Sequence, residues 1–228
     1  MTRVLGLIPA RSGSKSIPKK NIKLFAGKPL LAWTIIEAQK SSVLTDIVVS
    51  TDDPQISQIA LSYGASTPFI RPDSLATDGS LRNDVVIHAL SCLDPYDFVM
   101  LLQPTSPFRT SLHIDDSYQQ MISHSRSSCV SVKIQSPSPH WIFSGGLDMP
   151  QRILSSYPSS TNRQSNSSFY VLNGAIYIAE TASFFDSSCV DPFTSRSPFL
   201  YLMDKLDSQD IDDDLDWSIS EFLFSSRL

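Results

Sequence analysis

Cysteine is scarce in this 228-residue chain: Cys92, Cys129 and Cys189 stand far apart. Three thiols in no ligand spacing exclude a disulfide framework and a zinc motif. They read as small buried hydrophobes in a reducing compartment. Long apolar runs are missing too. None approaches the ~20 residues of a membrane span, and Phe98 to Leu102 has the length of a core strand. The opening "MTRVLGLIPAR" is too short, and lacks the small-residue cleavage site, for a secretory signal. A cytoplasmic location without membrane attachment is expected. Positive charge is in deficit, 18 Lys and Arg against 23 Asp and Glu for a net −5, which argues against non-specific nucleic-acid binding. Neither G-x-x-x-x-G-K-[ST] nor G-x-G-x-x-G occurs, so a P-loop and a dinucleotide fingerprint are excluded. Histidine offers little. His88, His113 and His124 fall in or beside predicted helices, no two have metal spacing, and only His140, in "SPSPHW", is placed to touch a ligand.

What is present is a regular alternation of strands and helices. Hydrophobic residues make up 41% and charged residues 18%, the balance of an ordinary globular protein. The length suits one large domain, or one domain with an insertion. Val4 to Pro9 reads as a buried strand, "FAGKPL" as a turn, and Pro29 as the first position of a helix carrying Leu31, Ile35 and Ala38. Ile47 to Ser50 is the next strand, and Asp53-Pro54 caps and starts a helix striped with Ile56, Ile59, Ala60 and Tyr63. The stripe Val86, Ala89, Leu90 and Leu93 precedes the strand "DFVMLLQ", and Ile114, Ser117, Tyr118 and Met121 follow it. A closing helix is expected to bury Leu215, Ile219, Phe222 and Leu223. Such alternation predicts an α/β fold, three-layered and Rossmann-like, with a mostly parallel sheet. Ligands then bind at the carboxyl ends of the strands, where the loops after Pro9, Ser50 and Leu102 converge.

The pattern breaks between residues 133 and 168, which are rich in Ser, Pro, Asn and Gln. The organisation is therefore a domain of residues 1–132 and 169–228 with an irregular extension at 133–168. Two roles stay open for that extension: a plain surface loop, or an arm that closes over a site or a partner subunit.

Two stretches carry chemistry. "IPARSGSKSIPKKN" crowds Arg11, Lys15, Lys19 and Lys20 into ten residues of an acidic chain. Gly13, between Ser12 and Ser14, lets backbone N–H groups approach an anion. Arg11 can grip phosphate oxygens bidentately, and Lys15 and Lys20 add point charges. Such a cluster at a strand's carboxyl end predicts a polyphosphate site. The second stretch is Asp210-Ile211-Asp212. In extended chain both carboxylates point the same way and suit Mg²⁺ beside phosphates. The alternative is a helix start, where Asp212, Asp213 and Asp214 favour the macrodipole. The residues alone leave both open. Ser12 and Ser14 have no identifiable base, so no nucleophile is expected.

"IPARSGSKSIPKKN", "STDD", "RPDSLATDGS", "LLQPTSPFR", "LNGAIYI" and "DIDDDLD" occur in the order seen in the acylneuraminate cytidylyltransferases, the CMP-sialic acid synthetases with their legionaminate and pseudaminate relatives. The chain resembles that family nearly end to end, least between 133 and 168. The resemblance implies transfer of CMP from CTP to the anomeric hydroxyl of a nonulosonic acid, a nine-carbon α-keto acid sugar, with release of pyrophosphate. By position, Arg11, Ser12, Gly13, Lys15 and Lys20 would hold the triphosphate, with Asn21 beside the α-phosphate; Arg11, Lys20 and Asn21 would serve catalysis. Arg71 and Ser80 would contact the cytosine. Gln103, His140, Arg163 and Gln164 would approach the sugar, and Asp210 and Asp212 would bind Mg²⁺ or Mn²⁺. The family also implies a homodimer in which the extension reaches the other subunit's sugar site. Where several relatives have Arg-Pro before "NGAIYI", this chain has Val171-Leu172, which leaves the acid's identity open. Alternatives are a 3-deoxy-octulosonate cytidylyltransferase, an Asp-x-Asp glycosyltransferase and a non-catalytic nucleotide-binding regulator.

Overall fold

A computed structural model describes residues 2–135, 139, 142–145, 148–154 and 169–227. At its centre is a six-stranded sheet in the order β10-β6-β9-β5-β1-β4. Strand β1 (Val4–Pro9) runs parallel to β4 (Asp46–Ser50) on one side and to β5 (Phe98–Leu102) on the other. Strand β9 (Tyr170–Glu180) is antiparallel to both β5 and β6 (Ser128–Ile134), and β10 (Phe199–Leu202) pairs parallel with β6 at the edge. The chain moves from β1 outward to β4 and then back past β1 to β5. The loops after β1 and β5 therefore flank a switch point, where such sheets place their ligands.

Alternate residues of each strand serve opposite faces. On one face Val4, Ile8, Met100 and Ile178 pack against α1 (Leu30–Gln39), α2 (Pro54–Ser62) and α4 (Ser111–Ser123) through Leu31, Ile35, Ile56, Ile114 and Met121. On the other, Leu5, Leu7, Val99 and Leu101 meet Val86 and Ala89 of α3 (Arg82–Ser91), with Phe184 and Phe193. These are the three expected layers. Asp53 caps α2, its carboxylate accepting from the Gln55 N–H at 2.6 Å. Pro29 stands one position earlier than expected, at the cap of α1, because it closes a hairpin of β2 (Leu24–Phe25) and β3 (Lys28–Pro29). Ala26 and Gly27 both take positive φ in that tight turn.

The closing helix α5 (Asp214–Ser225) corrects the sequence expectation. Its buried residues are Trp217, Ser220 and Phe224, whereas Leu215, Ile219 and Phe222 are exposed and Leu223 is only partly covered. The aromatic rings win because Trp217 and Phe224 each meet Phe25 edge to face, and Phe224 also meets Trp33 and Phe108. The cysteine expectation holds for Cys129 alone; Cys92 is exposed and Cys189 half-buried, and all three thiols are free. In the extension, β7 (Phe143–Ser144) and β8 (Gln151–Arg152) form a short antiparallel hairpin. Among the described residues no helix is long and apolar enough to cross a membrane.

Candidate active site

Strand β1 ends in the basic loop, and burial decides how that loop folds. Ile17 is fully buried in a small cluster with Phe25, Phe108, Ile211 and Trp217, which pins the loop's middle. Lys19 then takes φ +52°, reversing the chain into a 3-10 turn over Lys20–Ile22. The reversal brings Asn21 back beneath the loop's start, where it is 9% exposed and its Nδ2 donates to the Arg11 carbonyl at 2.9 Å. The Ser12 N–H donates to the Asp52 carboxylate of the "STDD" loop at 2.9 Å, so the loops after β1 and β4 are tied together. A side chain at Gly13 would meet nothing nearer than the Arg11 guanidinium at 4.0 Å. Packing does not require glycine there; its bare backbone faces a cleft.

That cleft measures about 340 Å³, within the range of small-ligand sites, and lies at the carboxyl ends of β1 and β5. Of the residues singled out from sequence it brings together Arg11, Gly13, Lys20, Asn21, Arg71, Ser80, Gln103 and Asp212. Ser12, Lys15 and Asp210 do not line it. Lys15 is 80% exposed and pairs with Asp78 at 2.7 Å, while Arg11 holds the other oxygen of Asp78 at 2.6 Å. Hydrogen bonds from Lys15 and then Arg11 draw the Asp78 carboxyl below its ordinary range. The loop thus already converges on one anionic group. Lys20 lies deeper: its ammonium donates to the Ile211 carbonyl at 2.7 Å and stands 3.9 Å from Asp212. Arg71 is buried, donates to the carbonyls of Ser50 and Leu75, and is lowered by burial to about 10, so it stays cationic at neutral pH. Ser80 donates to the Ser74 carbonyl at 3.2 Å and accepts from the Thr77 N–H at 3.0 Å, bracing the wall beside Arg71.

The carboxylate pair is set by the residue between its members. Ile211 is fully buried and its N–H donates to the Thr105 carbonyl at 2.9 Å, leaving Asp210 and Asp212 on the side away from the core. Asp212 reaches the cleft with its side chain 78% exposed. Asp210 packs against Gly174 of β9. That glycine has φ +82°, and a Cβ there would stand 3.0 Å from Gln103 Oε1 and 3.2 Å from Asp210 Oδ2. A Cβ there would press on both side chains, which would have to give by a few tenths of an ångström, and the positive φ adds strain for any residue but glycine. Asp210 Oδ1 is buried without a hydrogen-bond partner, and burial, with repulsion from Asp212, lifts the carboxyl above its ordinary range. A buried carboxylate oxygen without a hydrogen-bond partner beside a second carboxylate is an excess of negative charge that a divalent cation would offset. Among the described residues no third His, Cys, Asp or Glu joins the pair. Two carboxylates, with waters and substrate phosphates completing the shell, are what Mg²⁺ favours over an all-protein cage.

Several contributors were missed by the sequence reading. A bulge between Val130 and Val132 sets Ser131 against a kink in β9. Its hydroxyl donates to Asn173 Oδ1 at 2.5 Å, and Asn173 Nδ2 donates to Ser208 Oγ at 2.9 Å, tying β9 to the segment that carries Asp210. Arg109 is fully buried, donating to the carbonyls of Gln103 at 3.1 Å and Ala175 at 2.8 Å and to Thr34 Oγ1 at 2.7 Å. Burial lowers it to about 9. Arg82 lines the cleft at the start of α3. The "NG" before an apolar run signalled special backbone at Gly174; nothing local marks an arginine as buried. His140, Arg163 and Gln164 lie outside the described residues.

A family model described as Cytidylyltransferase matches residues 5–139. The chain is 39% identical over 229 residues to a CMP-N,N'-diacetyllegionaminic acid synthase of Legionella pneumophila, covering 97% of this chain and 96% of that protein. It is 36% identical over 219 residues to an N-acylneuraminate cytidylyltransferase of Escherichia coli, covering 96% of this chain but 51% of that longer protein. Among solved structures, a CMP:2-keto-3-deoxy-manno-octonic acid synthetase complexed with CTP superposes with a TM-score of 0.76 at 16% identity, covering 100% of both chains, which speaks for the fold. With more than half of its length under the family model and near-complete overlap with a close relative, this chain belongs to the cytidylyltransferases.

Proposed function

We propose that the protein transfers CMP from CTP to the anomeric hydroxyl of a nonulosonic acid. The observation that carries this reading is one cleft in which the cations Arg11 and Lys20, the bare backbone of Gly13 and the carboxylate of Asp212 meet at the ends of β1 and β5. The anomeric hydroxyl loses its proton to solvent as its oxygen forms a bond to the α-phosphorus, the bond from that phosphorus to the bridging oxygen breaks, and pyrophosphate departs. Such a transfer needs positioning and charge neutralisation more than covalent help. Arg11 and Lys15, with Asp78 displaced from them, hold the outer phosphates. Lys20 and the buried Asn21 face the α-phosphate, where charge develops. Ser12 stiffens the loop through Asp52, and Arg71 and Ser80 form the wall for the cytosine. Gln103 faces the acceptor sugar. Asp210 and Asp212 would hold Mg²⁺ or Mn²⁺, which supplies neutralisation of the triphosphate and of the departing pyrophosphate.

The relatives' names point to acceptors of the legionaminic and neuraminic type. A homodimer belongs to the same proposal. Exposed Tyr170, Leu172, Ile134, Leu200 and Leu202 lie on one face of the β9-β6-β10 end of the sheet, an apolar surface that a second copy of this chain would cover.

The test is pyrophosphate release from CTP and Mg²⁺ with N-acetylneuraminate, di-N-acetyllegionaminate, di-N-acetylpseudaminate and 3-deoxy-octulosonate in turn. Turnover with a nonulosonate supports the proposal and names the acid. Turnover with 3-deoxy-octulosonate alone moves the acceptor to the eight-carbon class. Release of CMP from a CMP-sugar or of UDP from a UDP-sugar, supplied in place of CTP, would instead support a glycosyltransferase.

A further inference from the structure

Arg82 is a cation of the cleft that the triphosphate and cytosine sites leave unused. Its guanidinium carbon lies 4.3 Å from the ring centre of Tyr177 and 4.9 Å from that of Phe193. One Nη is 3.0 Å from Asp191, whose carboxylate is itself held by the Phe193 N–H at 3.2 Å and the Thr194 hydroxyl at 2.6 Å. The Arg82 Nε is buried with no hydrogen-bond partner. An unpaired buried donor is a cost to folding, so stability alone does not explain this placement. The residue is locked in direction by two rings and a carboxylate, while its remaining surface faces the cleft.

Its position along the cleft decides which substrate it meets. Arg71, at the cytosine wall, donates to Ser50 at the end of β4. Arg82 lies over Tyr177 of β9, with β1 and β5 between β4 and β9 in the sheet. Although Ser80 is only two residues away, the Arg82 side chain is turned toward the β9 side of the cleft, whose lining also includes Gln103. Its charge is already balanced by Asp191, which would repel a second carboxylate. What the pair offers is a set of fixed N–H donors of little net charge, suited to a neutral oxygen.

We propose that Arg82 is a specificity-determining residue of the acceptor half of the cleft, donating to the carbonyl oxygen of an acylamido substituent on the sugar. This rests on the cytidylyltransferase reading above. A site built to satisfy a polar group discriminates strongly against an acceptor that lacks it, because its own donor is then left unpaired.

The test compares wild type, Arg82→Met and Arg82→Lys. It measures kcat/KM for N-acetylneuraminate, for di-N-acetyllegionaminate and for 2-keto-3-deoxynononate, which has a hydroxyl in place of the acylamido group. KM for CTP and the melting temperature are measured alongside. Arg82→Lys keeps the ion pair with Asp191 and guards against a folding failure in Arg82→Met. The expected result is a loss of about tenfold or more on the acylamido acids, the size of one good hydrogen bond. KM for CTP and turnover of 2-keto-3-deoxynononate stay within about twofold. Equal loss on all acceptors, a rise confined to KM for CTP, or unchanged kinetics overturns the assignment and leaves the transferase reading standing. A folded wild type that releases no pyrophosphate with any acceptor overturns both.

Discussion

Lys19 and Lys20 stand side by side in the sequence and meet different surroundings. Lys20 is 13% exposed and bonded to the Ile211 carbonyl, whereas Lys19 is exposed at the left-handed turn that aims its neighbour inward. Lys20→Ala is expected to lower kcat/KM by about a hundredfold, as for loss of a group that stabilises transition-state charge. Lys19→Ala should stay within about twofold, and equal losses in a pyrophosphate assay would contradict the assignment of Lys20. The cluster was legible as a cluster, and the family resemblance singled out Lys20 over Lys19; the local pattern does not give the reason, because the αL turn at Lys19 has no signature in a lysine. His113 makes a second case. Its Nδ1 accepts from the Thr110 N–H at 3.1 Å, its Nε2 lies 3.4 Å from Asp207, and burial is the largest influence lowering its pKa. The unfolded chain therefore binds this proton more tightly than the native state. Its contribution to stability is present above the ordinary value of 6.5 and is lost as pH falls below it. His113→Gln keeps a capping-box residue without a titrating group. Melting temperature measured from pH 7.5 down to 5 should fall less steeply in that variant than in wild type.

Strand β9 was recognised as a strand but not as the hinge of the site. Gly174 sits where the bulged strand passes between Gln103 and Asp210, and its φ of +82° adds backbone strain to any substitution. Gly174→Ala is expected to cost about 1–3 kcal/mol of stability. Turnover should fall further than that loss explains, because the new methyl pushes on Gln103 and Asp210 together; activity retained in a folded variant would show that neither side chain needs its present position. Arg109 clamps the same region from below. Arg109→Met leaves the Gln103 and Ala175 carbonyls without that donor, at about 1–3 kcal/mol each. A fall in melting temperature of about 10 °C is expected at this chain length. A melting temperature within a degree or two of wild type would show that water replaces the clamp. Helix α5 carries the complementary lesson. Its 3.6-residue stripe of Leu215, Ile219 and Phe222 was visible, yet the aromatic cluster around Phe25 turned the other face inward.

At the scale of the whole molecule, a net charge of −5 coexists with a cationic cleft, so anion binding is a property of one rim and not of the surface. Among the described residues, the apolar face at the β10 edge is a second exposed surface of note. If a second copy covers it, the double substitution Leu200→Glu and Leu202→Glu, at positions already half-exposed, should yield a folded monomer by sedimentation where wild type sediments as a dimer. A wild type that is monomeric at micromolar concentration would remove the dimer from the proposal.

The sequence by itself determined the alternation of strands and helices and the placement of a basic loop after the first strand. Each follows from spacing along a few residues, which local geometry converts directly into faces and ends. Only the tertiary structure decided that Lys15 pairs with Asp78, that Asp210 packs against a bare glycine, and that Arg82 meets Asp191 across 109 positions of chain. Those contacts join segments from different strands, and their energies depend on burial and register that no local pattern encodes.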